Sequence, residues 1–369
     1  MKRIYSYILS IVAILLTTVM QQSCTHHKIM LEDEIMMRAM SVSTKALVNS
    51  KQDLVTQAWN GGESSTGFGV FGYKKNADNY LKLFNNVEVK PNSGDENTTW
   101  SYTPLRYWDS NPDVSYQFMA YWPHMAAEDP GDGSIYVDEN ERVLTIHNIP
   151  NWQEAENGLD IMTSARTGKY RSQNDDPLFS SGIVPFNFTH RLALIGFTGF
   201  YIGIEERTVN ISNITLSKAD NDFLSPDGKA DYTEPYGGQS GTTGFTGVTK
   251  GSTDMVLYDS STGVTLSSDQ FLDETEPSDT YDPAEICTWL TVPSDGWSNL
   301  DLAITYSIKG SLYQTNHIRL TVNTGTTVGG NSYIFKLKFD TAGGGITVET
   351  IYVKDWSNPI EVSKPVYNW

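Results

Sequence analysis

Cysteine is almost missing from this 369-residue chain: Cys24 and Cys287 are the whole supply. A disulfide framework is therefore excluded. The chain also lacks any apolar run near the roughly twenty residues a spanning helix needs. The longest, Ile8 to Met20, is thirteen residues. Positive charge is short as well. Against 44 acidic residues stand 26 basic ones, a net charge of -18, which becomes -20 without residues 1–23, since they hold Lys2 and Arg3 and no acid. Such a body repels nucleic acid and anionic lipid headgroups, so nucleic-acid binding is excluded as a function class. No window of twelve or more residues carries a sustained 3.6-residue apolar period; a short helix around Asp78 to Phe84 is the best exception.

Catalytic signatures are missing too. The six histidines (26, 27, 124, 147, 190 and 317) show no H-E-x-x-H or paired ligand spacing. No G-x-S-x-G occurs, because Gly238-Gln-Ser-Gly241 runs into Thr242, and no Walker-type G-K-[ST] exists. Gly67-Phe-Gly-Val-Phe-Gly72 fits G-x-G-x-x-G in letters but sits inside a strand-like aromatic pattern, without the helix a dinucleotide needs. Asp129-Pro-Gly-Asp-Gly133 lacks the EF-hand spacing and reads as a solvated turn. The expectation is a chain that is not an enzyme, with no catalytic residue, no metal site and no cofactor.

What is present begins at the N-terminus. Lys2 and Arg3, the apolar run and then Gln21-Gln-Ser-Cys24 read as a lipoprotein signal peptide, 1–23, with Cys24 as the lipidated residue. The expected location is the outer membrane and cell surface, reached through the periplasm. With Cys24 lipidated, Cys287 is left alone in the apolar pattern Ile286-Cys-Thr-Trp-Leu-Thr-Val292, a buried structural thiol.

Thirty Gly, 20 Tyr and many Thr and Ser punctuate short alternations, the look of an all-β sandwich protein. Arg142 to Ile146, Leu302 to Ile308, Ile318 to Val322 and Tyr333 to Phe339 alternate apolar and polar residues. Val209 to Leu216 slips by one step between Ile211 and Ile214, which marks a bulge. Polar residues 171–181 read as a long loop, after which one apolar strand runs from Ile183 through Phe197. The expected division is a leader or first strand at 24–44, an N-terminal sandwich at 45–182, a C-terminal one at 183–358 and a tail at 359–369. Asp231 to Ser252, rich in Gly, Thr and Ser, is expected as an exposed loop of the second domain.

Four blocks, in order, resemble the fimbrillin and fimbrillin-like family of pilus subunits: Phe68 to Tyr73; Trp100 to Trp108 with Tyr116 to Pro123; Asp160 to Ala165 leading into Val184 to Phe197; and Ile346 to Trp356. The resemblance covers nearly all of the chain after the signal peptide. It implies two transthyretin-like sandwich domains, a lipidated precursor trimmed by a protease, and polymerisation with other pilin subunits by strand exchange. A cut after a basic residue, at Arg38 or Lys45, would remove the leader strand; both fit. At the other end Ile360, Val362 and Val366 sit at even spacing between Pro359 and Pro365, as a donor strand or as a tail folded back on its own domain. The implied function is a fimbrial subunit or an accessory or tip adhesin, with a host or bacterial surface receptor as a further partner. The alternative is a monomeric surface lipoprotein that binds glycans, with Trp108 and Trp122 stacking on sugar rings. For most of the aromatic cluster, Trp100, Tyr102 and Tyr121 among it, a place in the core is the expectation.

Overall fold

The computed structural model describes residues 35–42, 67–91, 100–129, 131–170, 182–251, 253–273, 283–309, 311, 313–321 and 325–355. Residues 1–23, read as a signal peptide, and Cys24, Lys45, Ile360, Val362 and Val366 lie outside the described residues. The chain is all-β. Its first strands are β1 (Met36–Val42), β2 (Phe68–Asn76), β3 (Asn79–Pro91), β4 (Trp100–Ser101), β5 (Ser115–Trp122), β6 (Tyr136–Asn140), β7 (Val143–Pro150) and β8 (Trp152–Glu154). They are followed by β9 (Met162–Gly168), β10 (Ile183–His190), β11 (Ala193–Ile202), β12 (Val209–Ser217), β13 (Phe223–Leu224), β14 (Lys229–Pro235), β15 (Gly244–Thr246) and β16 (Lys250–Gly251). The last are β17 (Met255–Leu266), β18 (Ala284–Thr291), β19 (Leu300–Ile308), β20 (Gln314–Leu320), β21 (Asn331–Asp340) and β22 (Ile346–Asp355). Among the described residues one 3-10 turn, Ser268–Gln270, is the whole helical content.

Seven strands form the first sheet, in the order β1-β10-β9-β5-β2-β3-β4. Its inner face buries Phe68, Val70, Phe84, Phe118, Phe186 and Phe188, with Tyr102 and Trp108 from the segment after β4 closing over them. A second sandwich packs β22-β21-β11-β18-β8 on β17-β12-β19-β20. Its core holds Ile195, Phe197, Ile214, Leu302, Ile304, Phe335 and Leu337. Alternation sets the facing: Leu300, Leu302, Ile304, Tyr306 and Ile308 of β19 are buried and the residues between them are half-buried. The bulge expected after Ile211 falls between Ile211 and Asn213, where β12 shifts register against both neighbours.

A third sheet, β15-β14-β7-β6, links the two. Leu144, Ile146, Ile149, Ala230 and Tyr232 from it share one core with Phe71, Met119 and Tyr121 of the first sheet and Leu194, Leu290 and Ile334 of the second sandwich. Buried polar groups tie the seam. The Glu139 carboxylate accepts hydrogen bonds from the hydroxyls of Tyr73 at 3.0 Å and Tyr236 at 2.9 Å, and lies 2.5 Å from Lys82 Nζ.

The topology departs from the expected division in three places. Residues 183–197 are two strands, not one: β10 belongs to the first sheet and β11 to the second sandwich. Arg191 breaks the run. Its N–H donates to the Ile161 carbonyl at 2.8 Å, and its guanidinium reaches Thr163 Oγ1 at 2.7 Å and Glu234 at 3.0 Å. The chain therefore crosses between sheets at Arg191–Leu192, beyond the boundary read at 182. Asp231 to Ser252 is also not simply a loop of the second half. Its first part is β14, which pairs with β7 and β15, so its Thr and Tyr residues alternate as a strand. The helix expected around Asp78 to Phe84 is β3 instead. Ala77, at φ 52, turns the chain, and β3 then pairs antiparallel with β2. Two register irregularities in that hairpin, at Val70/Gly72 and Gly72/Tyr73, shift the apolar residues off strict alternation and so imitate a helical period.

Candidate functional site: the groove under the first strand

The strand β1 lies at the edge of the first sheet and runs parallel to β10, in register from Met36 opposite Ile183 to Val42 opposite Phe188, with a bulge between Ala39 and Ser41. Apolar alternation makes it fit. Ile35 and Met37 are fully or nearly fully buried in the first core, and Met36 between them faces out. The floor is aromatic: Phe68 meets Phe186 edge-on at 5.6 Å and Phe188 at 5.3 Å. Trp108 packs edge-on against Tyr116 at 4.6 Å and flat on Tyr170 at 4.9 Å.

The other lip is the segment after β4. The Ile35 N–H donates to the Arg106 carbonyl at 2.8 Å, and the Tyr102 hydroxyl donates to the Ile35 carbonyl at 2.6 Å. That hydroxyl in turn accepts the Arg106 N–H at 3.3 Å. The Met36 N–H donates to Gly182 O at 3.1 Å, as Trp108 Nε1 does at 3.3 Å. So β1 starts in a slot between the loop and β10.

On its far side β10 has little ladder. Its register with β9 covers Thr189 and His190. Earlier, Pro185 has no N–H to offer, and its carbonyl accepts from Arg166 Nε at 2.5 Å, while the Asn187 N–H donates to Ser164 Oγ at 3.0 Å. The first part of β10 thus takes its main strand partner from β1. Lifting β1 out would expose Ile35 and Met37 pockets worth about 3–6 kcal/mol together, plus unpaired backbone groups on β10.

The residues singled out from the sequence fall in different places. Arg38 is inside β1, opposite Pro185. Trp108 is 2% exposed and Trp122 half-buried against the same core, so the stacking platform expected of Trp108 is not there: Tyr170 stacks on its ring and Tyr116 packs edge-on against it. Tyr102 and Tyr121 are core, and Trp100 is partly buried against it. The glycines of 67–72 serve close packing, since a Cβ on Gly69 would stand 2.3 Å from the Tyr121 ring. Asp129 and Asp132 cap the N–H groups of Gly131 and Ser134 in their turn. His190 is buried 2.7 Å from Asp160, a structural pair. Burial pushes the Cys287 thiol pKa up, which keeps it protonated. Among the described residues no group of three His, Cys, Asp or Glu could hold a metal ion, and no helix is long and apolar enough to cross a membrane. The groove's second lip, Tyr102 to Trp108, was not read from the sequence as a partner of the first strand; its Trp108 was expected only as a glycan contact in the alternative reading.

The architecture is that of an all-β protein of packed sheets, with β1 seated at one sheet edge over an aromatic core. The chain belongs to the fimbrillin-like family, which it matches over residues 54–356. That membership points to a fimbrial role. No curated protein matches it. Among solved structures it is similar to a candidate cell adhesion protein of Bacteroides uniformis, at 17% identity and a TM-score of 0.46, over 80% of this chain and 94% of that one. It is also similar to a candidate cell adhesion protein of Bacteroides ovatus, at 12% identity and TM-score 0.43, over 88% and 97%. A third is the fimbrial anchor protein Mfa2 of Porphyromonas gingivalis, at 11% and 0.28, over 79% and 90%.

Proposed function

We propose that this chain is a fimbrial subunit or accessory adhesin that assembles with other pilin subunits by strand replacement: β1 leaves after proteolysis, and a strand of a neighbouring subunit takes its slot on β10. The observation that supports this most is the seat of β1 itself, an edge strand that pairs in parallel with β10 and at whose start Ile35 and Met37 are buried in the first core. A cut after Arg38 would leave Ala39 to Val42 paired with β10. A cut after Lys45, three residues beyond the strand in sequence, frees all of it, so Lys45 is the processing site in this reading. The tail repeats the required spacing: Ile360 and Val362 stand two apart, as Ile35 and Met37 do, and Val366 follows. Cys24 carries the lipid that holds the precursor at the outer membrane. The burial of Trp108 counts against the glycan-binding alternative.

The test is N-terminal sequencing of the surface form together with gel analysis of unheated samples. Processing at Ala46 and SDS-resistant ladders are expected, with Lys45→Gln giving intact monomer. Ladders that persist in Lys45→Gln with residues 35–42 retained would overturn it.

A further inference from the structure

We propose that the end of the molecule where β1 begins is a membrane seat: Met36, Leu81, Leu105 and Tyr107, with Arg106 among them, rest on the headgroup region of the bilayer that anchors the precursor. This rests on the reading of Cys24 as the lipidated residue. Eight large apolar side chains are exposed among the described residues, and four of them gather here, at 46, 56, 47 and 45% exposure in the order named. The backbone puts them together. Met36 follows Ile35, whose N–H is bonded to the Arg106 carbonyl, and Leu105 and Tyr107 flank that arginine. Arg106 Nε donates to the Leu83 carbonyl at 2.9 Å, two residues along β3 from Leu81. Leu81 pairs across the hairpin with Lys74, whose ammonium lies 2.8 Å from Asp109 in the same loop.

The chemistry of the patch is that of a bilayer interface. Leucine and methionine supply apolar contact, tyrosine is the amphipathic ring that prefers headgroup depth, and arginine meets phosphate. The Arg106 guanidinium has no carboxylate within salt-bridge distance among the described residues. Its Nη1 is bonded to the carbonyls of Pro104 and Leu105 at 3.2 Å each. In a strongly acidic protein an unneutralised cation ringed by exposed apolar groups is a local reversal of character.

The tether chooses the bilayer over a second copy as occupant. Cys24 stands eleven residues before Ile35, a reach of at most about 36–40 Å when fully extended. A globule of some 300 residues is roughly 50 Å across. The lipid therefore holds this end, and not the opposite one, against the membrane for as long as the leader is intact.

The test uses the full lipidated chain carrying Leu105→Cys, labelled with an environment-sensitive dye and reconstituted in vesicles of phosphatidylethanolamine and phosphatidylglycerol. Val328→Cys, in the loop before β21, is the exposed control, and the parent chain checks that Cys287 takes up no dye. Lipids spin-labelled near the headgroup are expected to roughly halve the emission at position 105 and leave 328 unchanged. A water-exposed, unquenched label at 105 on a chain whose mass shows lipid on Cys24 overturns the seat alone. A spectral change at 105 that follows protein density and ignores the quencher assigns the patch to a second copy and likewise overturns it. A Cys24 without lipid overturns the anchor reading and the seat with it.

Discussion

The Tyr102 hydroxyl donates to the main-chain oxygen of Ile35, 67 residues earlier, at 2.6 Å, and accepts the N–H of Arg106. One phenol therefore satisfies both lips of the slot, the leader strand and the loop that faces it. Because the oxygen is buried and in series between two backbone groups, removing it leaves each without its partner.

Tyr102→Phe is accordingly expected to lower stability by about 1–2 kcal/mol, and to do so unevenly. The ring stays packed edge-on against Phe84 at 5.4 Å, so the core keeps its volume. Amide hydrogen exchange should speed up in 35–42 and 104–108 and stay unchanged in β19 and β21. Uniform acceleration across both cores would show that the bond does not act on the leader strand.

Met36 and Met37 are neighbours with opposite faces, one 46% exposed and the other 3%. Met37→Ala is expected to cost about 2–4 kcal/mol through the cavity left among the aromatics, whereas Met36→Ala should fall within about 0.5 kcal/mol of the parent. Paired urea titrations measure both. If the two substitutions cost the same, the strand does not sit with Met37 inward.

Much of this was legible beforehand, and the misses have physical reasons. Alternating runs such as 302–308 and 333–339 announced their strands, the first because its two faces differ in burial, although the second is buried on both faces from Tyr333 to Leu337. A first strand within 24–44 was expected, but its apolar residues did not reveal that it pairs in parallel with β10, which depends on residues some 145 positions away. The link between the two sandwiches was invisible for the same reason. Val143 to Pro150 and Lys229 to Pro235 each read as local patterns, and their pairing is a long-range event. The run 183–197 misled because an aromatic-rich strand followed, after Arg191 and Leu192, by one buried on both faces looks like a single apolar stretch.

At the acid end, the Lys74 ammonium hydrogen-bonded to Asp109, with the Asn111 N–H as a second donor, holds that carboxyl below its ordinary value. A depressed carboxylate stabilises the fold above its unfolded pKa, and the gain disappears as pH falls through the folded one. Both partners are about a quarter exposed, so the contribution is up to about 1 kcal/mol. Lys74→Met should therefore melt lower than the parent at pH 7, with the gap closing below the ordinary carboxylate range. A gap that persists there would assign the effect to lost packing of the lysine stem.

At the alkaline end the Glu139 cluster, which joins the first sheet to the linking sheet, is one contributor. Burial acts first on both phenols, and with the Glu139 charge it raises the pKa values of Tyr73 and Tyr236. Lys82 is a balance: desolvation alone would lower it, but hydrogen bonds to Glu139 and Tyr73 and their charges raise it overall. All three groups hold their protons more tightly folded than unfolded. Each contribution is thus complete below the ordinary pKa, near 10, and is lost as pH climbs toward the folded value. Glu139→Gln removes the charge and one of the two acceptor oxygens that gather them while leaving Lys82, one-third exposed, able to reach water. A loss of about 2–3 kcal/mol at pH 8 is expected. Above pH 10 the parent's urea midpoint should fall faster than the variant's, so the two curves converge. Parallel curves would mean that the carboxylate braces the seam by shape alone, and that the protons on Tyr73, Lys82 and Tyr236 are not coupled to folding.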